Sequence, residues 1–292
     1  MASRISCLRL IPLIFFLLPA LSGCANKAFM IKSMDPIMKD LNLAVNRNTD
    51  LDMLRDAMPV FLVQVDGFIT SVPDDALLLK GAESYYWYTF AFVEDTDRQR
   101  ASMLYLKARD YALRTLTGYS DFSEKLGRPP AEFRDMLYGF GEGNIGHLFW
   151  TANCWLAWIS LNTDNPQALM DLPRAQALLE RVVEIDETYY HGTAHIALGS
   201  LHASRPKMAG GDPEKARFYF DRAFQITGGR NLLVHLMYAR YYAYQIQDRD
   251  LFMKTLQKAL DTPADRDPDM AFTNEAARRK ARILLDHVDE YF

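Results

Sequence analysis

The sequence predicts an all-α protein: about four antiparallel helix pairs in an array, an inserted helical segment and a C-terminal capping helix. Three observations predict it. Long segments carry apolar residues at helical spacing, few alternate as strands do, and one apolar pattern returns four times. That pattern aligns without gaps as ASMLYLKARDYAL from Ala101, AQALLERVVEIDE from Ala175, ARFYFDRAFQITG from Ala216 and FMKTLQKALDTPA from Phe252, at separations of 74, 41 and 36 residues. Tyr105, Leu179, Phe220 and Leu256 share the fifth position, and Ala108, Val182, Ala223 and Ala259 the eighth. Small residues permit close approach to a partner helix, and the large one fills the gap beneath.

The N-terminus, MASRISCLRLIPLIFFLLPALSGC, joins Arg4 and Arg9 to an apolar run over residues 10–21. That run is too short to span a bilayer comfortably and ends in small residues, so residues 1–23 read as a removed secretory signal. Leu21-Ser22-Gly23-Cys24 resembles the lipobox of bacterial lipoproteins. The resemblance implies acyl chains on Cys24, each buried methylene adding about 0.8 kcal/mol of membrane affinity. Ala25 follows, where an Asp would retain the protein at the inner membrane, so the periplasmic side of the outer membrane is expected. Residues 24–35 then form a lipidated tether, and residues 36–292 a single helical domain.

Start and stop signals mark the helices. Asp74 or Asp75 precedes ALLLKGAESYYWYTFAF, Asp171 precedes LPRAQALLERVVEI, and Asp212 precedes PEKARFYFDRAFQI, which Gly228-Gly229 ends. First helices of the pairs show as Tyr85, Tyr88 and Phe92, and again as Leu236, Ala239 and Ala243. A small-large-small second helix near a 34-residue period marks a tetratricopeptide-like unit. The longer first spacing accommodates an insertion at about residues 118–146, with Pro129-Pro130 and GFGEGNIG. The capping helix falls near residues 271–290.

Composition narrows the function. Loss of residues 1–23 removes two arginines and no acid, taking the net charge from −4 to −6 and arguing against nucleic acid as main partner. Cys154, the lone thiol of the body, lies in apolar NCWLAW and reads as buried and inert. His191, His195 and His202 share a helix face. His195 and His202 stand about 10 Å apart along the axis, too far for one metal, and no Glu follows His191, so HExxH is absent. Packing is the reading for His195 and His202, while His191 at the helix start faces outward to a groove. GFGEGNIG lacks a following Gly-Lys-Ser/Thr and reads as a turn; Glu94, Asp95 and Asp97 read as a solvated connection, and RRKAR at 278–282 as a solvent-facing stripe. No serine or cysteine is paired with a base, so no catalytic residue, metal or cofactor is assigned. Aromatics and arginines near unit junctions give a candidate groove for a ligand or partner: Tyr189, Tyr190, His191, Arg205, Arg240 and Tyr241.

The lipobox, ESYYWYTFAFVEDTDRQRASMLYLKARDYAL, FWTANCWLAWISL, the YYHG…SRP…GGDPEKA block and YARYYAYQIQDRDLFMKTLQKALDTPAD together resemble the T component of tetratricopeptide-repeat-associated TRAP transporters. The resemblance runs from about residue 35 to the end. It implies a periplasmic accessory that works with a substrate-binding P component and a permease, holding or passing a small organic ligand, with a homo-oligomer possible. The alternative is a tetratricopeptide lipoprotein that scaffolds an envelope complex through protein contacts alone. A metalloenzyme built on His191 and His195 is a distant third.

Overall fold

The computed structural model describes Phe29, Ile31 and residues 33–292, and every regular element among them is helical. The signal segment and Cys24 lie outside the described residues. In chain order the helices are α1 (Asp35–Asn46), α2 (Leu51–Ser71), α3 (Asp75–Phe92), α4 (Arg98–Thr117), α5 (Ser120–Lys125), α6 (Pro130–Leu137) and α7 (Ile145–Leu161). Then come α8 (Pro166–Ile185), α9 (Tyr189–Ala203), α10 (Pro213–Thr227), α11 (Leu232–Met237), α12 (Arg249–Asp261) and α13 (Ala271–Asp286). A π-helical turn, Tyr238–Ala243, continues α11.

One chemistry starts many of these helices. Asp50, Asp74, Asp97, Asn165, Asp212, Asn231 and Asp248 each accept a hydrogen bond from a first-turn amide that the helix itself leaves unpaired. The expected start at Asp171 is corrected: Asn165 caps α8, Pro166 occupies its first turn, and the helix runs on through Pro173. Asp171 lies nearly two turns inside the helix because Asn165-Pro166, six residues before it, is the stronger start.

The four recurrent segments fall on α4, α8, α10 and α12. Their shared large residues Tyr105, Leu179, Phe220 and Leu256 are buried, as are the small ones three residues later. Each packs against the helix before it: α3 on α4, α7 on α8, α9 on α10, and α11 with its π turn on α12. A Cβ on Gly199 of α9 would stand 2.9 Å from the Phe220 ring, so the close approach of α9 and α10 requires glycine there. The insertion folds as α5 and α6 around Phe122, Phe133 and Phe140, while Arg181 donates to the Phe140 carbonyl at 2.8 Å.

α13 does not simply cap the far end; it packs against α1, α2 and α3. Arg279 donates to the Ala91 carbonyl at 3.0 Å, Lys280 to Asp95 at 2.6 Å, and Arg47 to Asp269 at 2.8 Å. The array therefore curls until its last helix touches its first. RRKAR is thereby corrected in part from a solvent stripe to a seam: Lys280 is buried and Arg278 and Arg279 are half-buried, while Arg282 faces solvent.

Candidate functional site: a cavity on the inner face

Curling leaves a cavity of about 340 Å³ bounded by α3, α4, α7, α8, α9 and the α11–π segment. Apolar side chains, Phe90, Leu156, Ile159, Ile196, Leu233 and Met237 among them, share its lining with hydroxyls, with Asn153 and with the charged Glu94, Arg205 and Arg240. That is the make-up of a site for a small, partly apolar molecule.

The polar end is built around Glu94, which follows the C-terminus of α3. Tyr105 donates to one carboxylate oxygen at 2.6 Å; Arg240 donates to the other at 3.1 Å, which lies 3.7 Å from Lys280 Nζ. Burial alone would raise the Glu94 pKa, but Lys280, Arg240 and Tyr105 outweigh it and hold the carboxyl below its ordinary range. The reading of Glu94 as a solvated loop is corrected: its cations arrive from π turn and α13, far along the chain. Asp95 pairs with Lys280, and Asp97 caps α4 through the Arg100 amide.

Arg240 and Tyr241 both line the cavity from the π turn, a wide turn that recurs at functional sites. Tyr86 lines it from α3, its phenol pKa pushed up by burial and then by neighbouring Cys154, Glu94 and Tyr241. Asn153 faces it from α7. Arg205 lines the cavity from the loop after α9. Among the described residues no carboxylate lies in ion-pair range of its guanidinium, whose only hydrogen bond there is from Nε to the Leu201 carbonyl at 3.4 Å. Burial lowers its pKa. The loop behind Arg205 is tightly wound: Gln245 donates to the Arg205 carbonyl at 2.7 Å, and a Cβ on Gly211 would overlap that oxygen at 1.8 Å. This explains the glycine in the GGD stretch.

Of the six groove candidates, Arg205, Arg240 and Tyr241 come together at the cavity. Tyr189 and Tyr190 lie behind its wall, packed on Phe149 with ring centres 5.3 and 5.0 Å away. His191 is exposed and outside the cavity. Tyr190, His191 and Gly192 adopt φ of 49°, 56° and 69°, a left-handed turn ahead of the right-handed part of α9. For tyrosine and histidine that geometry costs about 1–3 kcal/mol each, offset by what Tyr190 gains inside. Its hydroxyl accepts from Trp87 Nε1 at 3.0 Å and donates to Glu83 at 2.9 Å. His195 and His202 pack on Tyr219 of α10, His202 in parallel at 5.6 Å.

Sequence reading missed Tyr86, Glu94 and Asn153. Tyr86 stands in an aromatic run, Asn153 in an apolar one, and Glu94 gains meaning only from residues 146 and 186 positions later, so none carries a local signal. Among the described residues, no group of three or more His, Cys, Asp or Glu side chains could hold a metal ion. Cys154 is buried, its sulfur 3.9 Å from the Ala82 carbonyl, and burial pushes its pKa up, the reverse of an activated thiol. No helix among the described residues is long and apolar enough to cross a membrane.

A protein of Treponema pallidum (strain Nichols), described only as uncharacterized, is 25% identical over 271 residues, spanning 87% of this chain and 84% of that protein. The family described as the TRAP transporter T-component matches residues 47–292, which takes in the cavity and the closing helix. It is a family of transporter accessories and not of enzymes. The chain belongs to the TRAP transporter T-component family.

Proposed function

We propose that this protein is a lipid-anchored periplasmic accessory of a TRAP transporter that binds the substrate-binding P component and holds a small, partly apolar organic ligand in its inner cavity. The observation that carries the reading is the cavity itself: a lining rich in apolar side chains, a charge-compensated Glu94–Arg240 pair, and Arg205 without a carboxylate partner among the described residues. Cys24 carries the anchor, with the outer membrane as its site. Met53, Val60 and Val63 form an exposed apolar stripe on α2, available to a P component or a second copy of the chain.

The test is affinity capture of the detergent-solubilised protein from its native membrane, read by mass spectrometry. A co-purifying substrate-binding protein, with less ligand carried by an Ala197→Trp variant that fills the cavity, supports the reading. Recovery of envelope-assembly proteins alone, at every salt concentration, sinks it in favour of a scaffold. Separately, Cys24→Ser should move the protein from the membrane fraction to the soluble periplasm; retention in the membrane would overturn the anchor.

A further inference from the structure

The inner cavity ends at an aromatic wall. Tyr86 and Phe90 face the cavity. Behind Tyr86 stand Trp87 and Trp150, with ring centres 5.1 and 5.8 Å away. On the far side, Trp150 lines an apolar cleft of about 300 Å³ beneath α1, and Trp87 lines a neighbouring cleft of about 190 Å³; Glu83 borders both. Three hollows thus meet one wall.

Tyr190 fastens that wall. Its ring packs 5.1 Å from Trp150, and its hydroxyl bridges Trp87 and Glu83. Its carbonyl accepts from Thr193 Oγ1 at 2.7 Å, and Thr193 lines the cavity. One residue therefore links both sides. It does so from a left-handed backbone that side-chain anchoring must sustain, since an L-residue returns readily to right-handed values when released. Gly192 is fixed in the same turn, because a Cβ there would stand 2.9 Å from Ile226.

We propose that Tyr190 is a gate between the inner cavity and the clefts beneath α1, latched by Glu83 and Trp87, and that these clefts are a second compartment for the same ligand. This rests on the reading of the cavity as a ligand site. The compartment suits an uncharged, ring- or hydrocarbon-rich body: Met34, Met38, Phe68 and Leu77 line the larger cleft, Lys80 and Glu83 there satisfy each other at 2.9 Å, and Lys39, the other charge in the lining, is exposed to solvent. Release of the latch lets residues 190–192 turn toward right-handed geometry, which swings the phenol out of the wall.

Cys154 reports the gate. It is buried one helical turn after Trp150 and beside Ala82 of α3, in the shelter of the wall. The full chain, anchored on liposomes, is treated with N-ethylmaleimide, and modification of the Cys154 peptide is followed by mass spectrometry. Tyr190→Phe and Glu83→Gln should each speed modification at least tenfold, whereas Asp212→Ala, which loosens a distant helix cap, should not. The uncharged probe 1-naphthol should protect both an introduced Ala197→Cys thiol in the cavity and a Leu79→Cys thiol in the cleft. If Tyr190→Phe lowers the melting temperature, Glu83→Gln decides, since it keeps the tyrosine ring. Unchanged rates in both latch variants, or an equal rise in Asp212→Ala, overturn the gate. Protection of Ala197→Cys without Leu79→Cys overturns the second compartment and leaves the cavity reading standing. No protection of either overturns both.

Discussion

Glu94 shows how much one residue can hold in this molecule. It sits at the polar end of the cavity with its side chain only 13% exposed, and it is tolerable there because two cations and a phenol face it. Arg240→Met should therefore destabilise the protein by about 2–3 kcal/mol in urea unfolding, below the range for a fully buried pair because Arg240 keeps a third of its side chain in water. Glu94→Gln added to that variant should recover part of the loss. The carboxyl pKa is lowered on folding, so its contribution is complete above the unfolded value near 4.5 and is lost as pH falls through the folded one. Histidines act at higher pH. Burial lowers the pKa of His147, His195, His202 and His235 from 6.5, so each stabilises the fold above pH 6.5 and stops doing so as pH drops below it. The melting temperature should fall between pH 7 and 5, and less steeply in His202→Asn; an unchanged slope would contradict this assignment. The packing of His195 and His202 was legible in their helical register, whereas the exposure of His191 beyond the cavity was not, because a left-handed turn redirects it.

Helices were legible wherever a local cause acts. Asp74, Asp212 and Gly228 mark their ends by side-chain and backbone chemistry that needs no distant partner. Asp212→Ala should cost about 1 kcal/mol by chemical denaturation, since it leaves the amides of Glu214 and Lys215 without their acceptor. Gly199→Ala should cost about 1–3 kcal/mol, because the added methyl meets a fully buried Phe220 ring. Two elements had no such signal. The π turn over Tyr238–Ala243 reads in sequence as ordinary helix, yet it is the turn that presents Arg240 and Tyr241 together. The left-handed turn at Tyr190 and His191 uses residues that disfavour that geometry, so only tertiary packing selects it.

At the scale of the whole molecule, a run of helix pairs follows from the repeated small-large-small register, but its closure does not. The seam joins residues separated by as much as 222 positions, and no periodicity specifies which end surface meets which. Removal of residues 271–292 should abolish cooperative thermal unfolding, because Trp87, Phe92 and Glu94 would lose Phe272 and Lys280 as neighbours. A retained single sharp transition would show that the seam is dispensable. An open array of repeats can fold piecemeal, each pair settling on the one before it. A closed one cannot. As the chain is made from its N-terminus, α3 emerges with Glu94 and Asp95 unpaired and waits for Arg240 and then Lys280. The first pair is thus completed last: a chain that ends short of the π turn leaves both acids uncompensated, and one that ends between the π turn and α13 still leaves Asp95 without Lys280, a state that quality-control proteases can recognise.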